Sequence, residues 1–177
     1  MKLSSPSVLH KTEMGGVIVD LRSDREVRKA FTDLKGRVGQ VPKGEKFTVA
    51  IQKMVTGAAE VVIGMTTDPS FGPLIMFGLG GVFVEVMKDV SFRIAPVSDQ
   101  GAAEMISSLR SYPLLSGFRG TPPVDLDTVK EAILRLSQLV VDFPCFTEID
   151  INPFVASAKR TGCRAVDARF IVSSGCK

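Results

Sequence analysis

Apolar and polar residues alternate most clearly near the C-terminus of the chain. Glu148, Asp150 and Asn152 are separated by two isoleucines, so a strand here would place the three polar side chains on one face. The polar run 157–162 predicts a turn, and a second strand is predicted to return through 166–170. The pattern therefore predicts an antiparallel hairpin with one oxygen-rich face.

The register of this hairpin determines which polar side chains meet. A turn centred just after Lys159 sets Asn152 opposite Asp167 and Asp150 opposite Arg169. An amide oxygen beside a carboxylate suits Mg²⁺ when that ion is also held by substrate phosphates. The alternative is an ordinary ion pair between Asp150 and Arg169 on a solvated surface. The motif alone leaves both interpretations open.

The rest of the pattern predicts a mixture of strands and helices. In the first part of the chain we expect a strand at 17–21, a helix capped by Ser23 and Glu26, and a strand at 47–55, followed by a hinge at 56–57. Further on, strands are predicted at 61–65, 74–77 and 82–86, and helices after Ser98 and after Asp127. The second of these helices carries the apolar stripe Val129, Ile133, Leu136 and Val140, which we interpret as core.

Two further features are ambiguous from the residues alone. Gly78, Gly80 and Gly81 lie between two predicted strands, which fits neither the dinucleotide fingerprint nor the phosphate-binding loop that ends in Gly-Lys-Ser/Thr. Such glycines either turn the chain or let a ligand approach the backbone closely. His10 lies in a polar loop beside Lys11, where a histidine is either solvated or a nucleophile whose partners are elsewhere.

Composition narrows the class of protein. The 177 residues include 45% hydrophobic and 23% charged residues, which predicts a globular chain of one two-lobed domain or two small domains. A net charge of +3 from scattered cations does not favour nucleic acid binding. Three cysteines without metal-type spacing and a single histidine argue against structural zinc and favour a reduced, cytoplasmic setting. We find neither a signal peptide nor a long apolar run, so we expect no export and no membrane span.

Several motifs occur in order between residue 2 and about residue 171. They are Ser5-Pro6 with His10-Lys11-Thr12 and Gly15-Gly16-Val17, Asp68-Pro69 with Phe71-Gly72-Pro73, Met76-Phe77-Gly78 with Gly80-Gly81-Val82 and Val84-Glu85, Phe118-Arg119-Gly120, and Asp150-Ile151-Asn152-Pro153. Together they resemble the ATP-grasp subunit or domain of ADP-forming acetyl-CoA (acyl-CoA) synthetases, which are related to succinyl-CoA synthetases. The resemblance implies an α/β (α+β) chain with the two-lobed ATP-grasp fold, its lid lobe at 1–54 and its C-terminal lobe at 55–177.

The same resemblance implies an activity and its partners. These enzymes convert acyl-CoA, ADP and phosphate reversibly into a free acid, CoA and ATP through phosphohistidine intermediates. We therefore expect Mg²⁺ and ATP or ADP as cofactors, a CoA-binding subunit or domain as the partner within a hetero-oligomer, and no contact with nucleic acid or membrane.

Site residues are carried over from the resemblance by position. His10 resembles the histidine of the mobile loop that relays a phosphoryl group, and Asn152 and Asp167 resemble the Mg²⁺ ligands. For the nucleotide, Lys2 resembles the lysine that reaches the phosphates and Glu60 the glutamate that binds ribose. The segment that resembles the adenine-binding hinge consists of Gln52, Lys53, Met54 and Val55.

One departure from the family qualifies this expectation. Several dozen residues normally precede the position of Lys2, so we expect the first part of the lid lobe to be missing, nucleotide affinity to be poor, and the chain to be unable to complete the reaction alone. Two other functions remain open: the synthetase-like domain of a protein lysine acetyltransferase, and an assembly subunit without a working nucleotide site.

Overall fold

The computed structural model describes residues 1–4, 15–37, 47–81 and 88–173. The chain divides into two compact units, Met1–Met54 and Val55–Lys177. The predicted strand at 82–86 and the loop that contains His10 lie outside the described residues.

The described residues of the first unit form a short two-stranded sheet and one helix. Strand β1 (Lys2–Ser4) pairs antiparallel with β2 (Thr48–Ala50), and helix α1 covers Asp24–Arg37. One of the two hydrogen bonds of the predicted capping box is present, because the Ser23 hydroxyl accepts from the Glu26 N–H at 3.3 Å. The Glu26 carboxylate accepts from the backbone N–H of Arg22 at 2.7 Å and not from that of Ser23.

Both strands predicted for this unit are shorter than expected. The predicted strand 17–21 is reduced to one bridge between Val17 and Lys2, and the predicted strand 47–55 to the three residues of β2. The three residues of β1 pair with Thr48, Val49 and Ala50. Residues 51–55 alternate in the same way but do not pair with β1, so they do not extend the strand.

The second unit is built on an antiparallel sheet. Its strands are β3 (Ala59–Asp68), β4 (Gly72–Leu79), β5 (Val90–Ile94), β6 (Phe146–Ala156), β7 (Arg164–Ala165) and β8 (Ala168–Val172). The order is β5-β4-β3-β6, and β7 and β8 both pair with β6. A 3₁₀ turn at Arg160–Gly162 reverses the chain between β6 and β7.

Three helices occur in the described part of this unit, and the two longer ones lie where the sequence predicts helices, although the last begins at Leu126 and not after Asp127. Helix α2 (Asp99–Ser107) begins at Ser98, whose hydroxyl accepts from the Gly101 N–H at 3.0 Å. Helix α3 (Tyr112–Ser116) is short. Helix α4 (Leu126–Asp142) is capped by Asp125, and its predicted apolar stripe is buried.

The two faces of the sheet differ in what they contact. Side chains of α2 and α4 form one core with alternate residues of the strands, which in β3 and β4 are Val61, Ile63, Met65, Ile75, Phe77 and Leu79. The intervening residues point to the other face, here called the site face, because successive side chains of a strand alternate. In β6 the site face receives Glu148, Asp150 and Asn152.

No helix among the described residues has the length and apolar composition needed to cross a membrane.

Candidate functional site

The predicted hairpin forms in the predicted register. Asp150 pairs with Arg169 in β6 and β8, and the backbone N–H of Asn152 donates to the carbonyl oxygen of Asp167 at 3.1 Å. Asn152 is exposed and Asp167 is half-buried. The fold therefore brings together the two residues predicted as metal ligands, at adjacent positions on two paired chain segments.

A β-bulge lies at the same point. Val61 pairs with Phe154 and Ile63 with Ile151, so β6 has one more residue than β3 between these pairs. Asn152 lies inside the bulge. Such irregularities often redirect a side chain beside an active site.

The ion pair beside Asn152 differs from the prediction. Arg169 lies opposite Asp150 but forms its hydrogen-bonded ion pair with Glu148, one pair further along the hairpin. A long guanidinium side chain reaches diagonal neighbours as readily as the residue directly opposite. The expectation that Asp150 is the partner of Arg169 is therefore wrong.

The carboxyl group of Asp150 is consequently held in a negative environment. Burial raises the pKa of Asp150 above its usual value, the charge of Arg169 opposes this rise, and the charges of Glu148 and Asp167 reinforce it. Three carboxyl groups thus lie near one guanidinium. Such a surplus of negative charge favours a cation.

The donor set fits Mg²⁺ better than a transition metal. Among the described residues, no group of three or more histidine, cysteine, aspartate or glutamate side chains is placed to hold a metal. Asn152 and Asp167 supply an amide and a carboxylate oxygen, and Mg²⁺ commonly takes one or two protein ligands and completes its shell with water and phosphate oxygens. The pair is therefore suited to a metal that arrives with a nucleotide.

The site face shows a graded row of side chains across five strands. Arg169, Asp150, Gly64, Met76 and Phe92 are successive cross-strand partners from β8 to β5. The row is charged at one end and apolar at the other. A Cβ atom added at Gly64 would lie 3.3 Å from the Met76 methyl group, so Met76 covers this glycine and marks the boundary.

A cleft of about 400 Å³ lies at the opposite end of β3 from the β3–β4 turn. Glu60 is the one titratable residue among its lining residues, which also include Ala58, Ala59, Leu79, Gly80, Gly81, Leu114, Phe118 and Thr121. Glu60 was predicted as a nucleotide ligand. Leu114 and Thr121 were not predicted, because no spacing rule connects them with residue 60.

The wall of this cleft includes a backbone of unusual conformation. Arg119 has a φ of 49°, Gly117 and Gly120 also have positive φ, and the Arg119 guanidinium lies 5.2 Å from the centre of the Phe118 ring. The sequence motif Phe118-Arg119-Gly120 is thus a tight loop that presents an aromatic ring. Backbone of this kind is enriched at functional sites.

The glycine cluster combines turn and close-contact roles. Gly80 donates to the carbonyl oxygen of Glu60 at 2.6 Å, and a Cβ atom there would lie 3.0 Å from the same oxygen. Gly81 has a φ of 68°. A glycine is needed at position 80 because β3 approaches it closely, and at position 81 because its φ is positive. Both glycines also line the cleft.

The remaining predicted nucleotide ligands belong mostly to the first unit. Lys2 pairs through its backbone with Ala50, which places the lysine beside the segment that leads into Gln52, Lys53 and Met54. These three residues are exposed and lie outside regular structure. Val55, at the start of the second unit, is half-buried. His10, Lys11 and Glu85 lie outside the described residues.

The cysteines only partly fit the predicted reduced setting. Cys163 is a free thiol, whereas Cys145 is disulfide-bonded.

A comparison with protein families identifies the ATP-grasp domain over residues 1–172. Among curated relatives, 4-hydroxybutyrate–CoA ligase [ADP-forming] of Nitrosopumilus maritimus is 46% identical over 171 residues, which is 96% of this chain and 24% of that protein. The acetate–CoA ligase [ADP-forming] I subunit beta of Pyrococcus furiosus is 42% identical and covers 97% of this chain and 74% of that subunit. The chain thus spans about a quarter of the first relative and three quarters of the second.

Solved structures give the same picture. Acetyl-coenzyme A synthetase 1 of Ca. Korarchaeum cryptofilum, in complex with coenzyme A, Ca-AMPCP and HgCl⁺, matches with a TM-score of 0.85 at 45% identity, covering 97% of this chain and 75% of that chain. A second structure of that enzyme, with coenzyme A and Mg-AMPPCP, matches with a TM-score of 0.78 at 43% identity, covering 98% of this chain and 75% of that chain; its phosphohistidine segment points towards the nucleotide binding site.

Proposed function

Since the chain belongs to the ATP-grasp domain family, we propose that it is the nucleotide-binding component of an ADP-forming acyl-CoA (acetyl-CoA) synthetase. In this role it transfers a phosphoryl group between phosphohistidine and ADP with Mg²⁺, so that ATP forms while a free acid and CoA are released. The single observation that carries the proposal is the adjacency of Asn152 and Asp167, joined through their backbones at 3.1 Å. The names of the relatives support the reaction type.

Asn152 and Asp167 would hold Mg²⁺ through one oxygen each. When bound, the ion would supply positive charge that offsets the charge of the nucleotide phosphates. Asp150 would add negative charge beside the two ligands, and Arg169, which is paired with Glu148, would add a positive charge on the same face. The structure of the Korarchaeum relative that contains Mg-AMPPCP supports Mg²⁺ as the metal that accompanies the nucleotide.

The contacts to the nucleotide itself are assigned residue by residue from the resemblance. We assign the ribose to Glu60, whose carboxylate can accept hydrogen bonds from hydroxyl groups, and the adenine to the backbone of Gln52, Lys53, Met54 and Val55. Lys2 would contact the phosphates as a point charge.

His10 would carry the phosphoryl group to the nucleotide. In the ATP-forming direction the N–P bond of phosphohistidine breaks, a bond forms between phosphorus and the β-phosphate oxygen of ADP, and the imidazole is released. The resemblance implies a second active-site histidine in the CoA-binding subunit or domain, which would also hold the CoA site. The working enzyme would then be a hetero-oligomer or a fused chain in the cytoplasm.

Calorimetric titration with ADP tests the nucleotide site directly. We expect weak binding that requires Mg²⁺ and is lost when EDTA is added, since the lid lobe of this chain offers few donors to the phosphates. Binding of equal strength with and without Mg²⁺ would contradict the metal assignment, and no binding in either condition would favour a non-catalytic assembly role.

The relay is tested separately with the partner subunit present. We expect His10→Ala to abolish synthesis of ATP from acyl-CoA, ADP and phosphate while ADP·Mg²⁺ binding stays within about two-fold of wild type. Wild-type turnover by this variant would exclude His10 from the reaction.

A further inference from the structure

Arg169 lies between two alternative partners for its guanidinium group. It is opposite Asp150 in the pairing of β6 with β8. Glu148 and Asn152 are the next residues of β6 on the same face, one on each side of Asp150. Diagonal neighbours in an antiparallel pair are about 7–8 Å apart, which is within reach of a long side chain. By register, the guanidinium can therefore reach either the Glu148 carboxylate or the space beside Asn152.

In the structure the guanidinium is bound at the Glu148 end of this range. Nη2 of Arg169 donates to Oε1 of Glu148, and both side chains are 40% exposed. Water screens an ion pair of this exposure, so the pair holds its two side chains only weakly. A partner that binds a guanidinium more strongly can therefore displace Glu148.

The other end of the range is the proposed metal site, so the next step rests on the proposed function. A Mg²⁺ ion held by Asn152 and Asp167 would complete its shell with water and with phosphate oxygens of the nucleotide. The metal locates those phosphates, whichever way the ribose and the base lie. A guanidinium can bind a phosphate through two parallel charge-assisted hydrogen bonds, which makes the phosphate the stronger partner.

We propose that Arg169 is a phosphate-binding residue of the nucleotide site and that Glu148 holds it until the nucleotide arrives. When the nucleoside diphosphate or triphosphate binds with its cation, the guanidinium leaves Glu148 and contacts phosphate oxygens beside the metal. Before that, its contact with Glu148 keeps this positive charge away from Asn152, where the cation has to bind. Glu148 thus competes with the nucleotide for Arg169.

Variants of the two residues should shift nucleotide affinity in opposite directions. We expect Arg169→Gln to weaken ADP·Mg²⁺ binding about five- to ten-fold, since it removes a phosphate contact. Glu148→Gln releases the guanidinium and should tighten binding about two- to three-fold. Arg169→Lys keeps the charge but not the planar fork, so its affinity should lie between those of wild type and Arg169→Gln. NMR titration of the full chain measures affinities as weak as those expected here.

The opposite signs separate this role from a structural one. Arg169→Gln and Glu148→Gln break the same ion pair, so a pair that only holds the hairpin together would change nucleotide affinity in the same direction in both variants. Thermal unfolding midpoints near that of wild type in both would show that the fold is intact. Weakened ADP·Mg²⁺ binding in both variants would overturn the proposal.

The ion pair between Arg160 and Glu131 provides the matched control. Its atoms are 2.8 Å apart, and Glu131 belongs to α4, which packs on the opposite face of the sheet. Arg160→Gln removes the same charge from the chain and should leave ADP·Mg²⁺ binding within two-fold of wild type. If it weakened binding as much as Arg169→Gln, the effect would be one of net charge and the proposal would be wrong.

A double variant tests the competition itself. We expect the chain with both Glu148→Gln and Arg169→Gln to bind ADP·Mg²⁺ like Arg169→Gln alone, because Glu148 acts through Arg169. If Glu148→Gln tightened binding equally with and without Arg169, it would act through its own charge, and the proposed exchange would be wrong.

Failure of this inference can be distinguished from failure of the proposed function. Wild-type affinity in Arg169→Gln, together with weakened Mg²⁺-dependent binding in Asn152→Ala, would overturn the role of Arg169 and leave the metal site standing. No ADP·Mg²⁺ binding by the wild-type chain would contradict both.

Discussion

Arg169 lies directly opposite Asp150 in the pairing of β6 with β8, and its guanidinium contacts Glu148. Both side chains of this ion pair are 40% exposed. The arrangement leaves the carboxyl group of Asp150 next to the candidate metal ligands without taking up the charge of Arg169 in a hydrogen bond. The ion pair therefore uses Glu148, two residues before Asp150 in β6, and leaves Asp150 between that pair and Asn152.

Replacing Glu148 by glutamine should have a small effect on stability. Water screens a pair of this exposure, so we expect the free energy of unfolding to change by less than about 1 kcal/mol. Urea denaturation at low and high salt provides the measurement. A loss of more than about 2 kcal/mol would show that the ion pair holds the hairpin together.

Removing either candidate metal ligand should weaken nucleotide binding in the presence of Mg²⁺. We expect Asn152→Ala and Asp167→Asn each to lower the affinity for ADP·Mg²⁺ by at least about ten-fold, since each removes an oxygen from the ion. Asp142→Asn, which changes an exposed carboxylate at the end of α4, is the matched control and should bind like wild type. Equal ADP·Mg²⁺ binding by all three variants would show that Asn152 and Asp167 do not hold the metal.

Asp89 should stabilise the fold in a pH-dependent way. Its carboxylate accepts from the backbone N–H groups of Arg110 and Ser111 at 2.9 and 2.7 Å and is only 8% exposed. Burial alone would raise the pKa of Asp89, but these donors and the nearby Ser111 hydroxyl outweigh it and hold the pKa below its usual value. We expect Asp89→Asn to cost about 1–3 kcal/mol at neutral pH.

The sign of the pH effect follows from this lowered pKa. The stabilisation by Asp89 is fully present above the pKa that aspartate has in the unfolded chain, about 3.9, and is lost as the pH falls through the folded-state value. Urea unfolding at several pH values should therefore show the difference between wild type and Asp89→Asn shrinking below about pH 4. If the difference in unfolding free energy between wild type and Asp89→Asn did not depend on pH, the stabilisation would come from the packing of the side chain and not from its charge.

Gly57 should not tolerate a side chain. A Cβ atom there would lie 2.3 Å from a Val155 methyl carbon and 2.6 Å from the Ala156 carbonyl oxygen. We expect Gly57→Ala to destabilise the second unit by about 1–3 kcal/mol. A Cβ atom added at Gly36 in α1 would meet no heavy atom within 4 Å, so Gly36→Ala should stabilise its helix by about 0.5–1 kcal/mol. Thermal unfolding that ranks the two variants in the opposite order would contradict both assignments.

Local chemistry was sufficient to predict the hairpin and its register. The alternation from Glu148 to Asn152 and the polar run before Gly162 determine which backbone positions pair, because a one-residue slip would expose the isoleucines. The same reasoning could not predict that Arg169 contacts Glu148. Register fixes backbones, whereas a flexible side chain can reach its diagonal neighbour.

The strands of the first unit and the cleft show the limit of sequence reasoning. An alternating pattern indicates that a segment can be a strand, but its length depends on how much partner backbone lies beside it, and β1 offers only three residues to β2. The cleft near Glu60 includes Leu114 and Thr121, which are more than 50 positions away in the chain. Only the folded arrangement of α3 and β3 connects them.

The extra residue in β6 has a consequence for engineering. On one side of it Ile149 and Ile151 face the helices, and on the other side Phe154 and Ala156 do. The odd-numbered and even-numbered residues of the same strand therefore contribute to one core, and Asn152 occupies the point where the two phases meet. Deleting Asn152 would leave one residue between Ile151 and Phe154, as β3 has between Val61 and Ile63, so all four side chains could keep facing the helices. The same deletion would shift β6 by one residue against either β7 or β8, because Phe154–Ala165 and Asp150–Arg169 belong to one continuous register. The amide ligand can therefore be deleted without turning the core residues of β6, but not without displacing the return segment that carries Asp167.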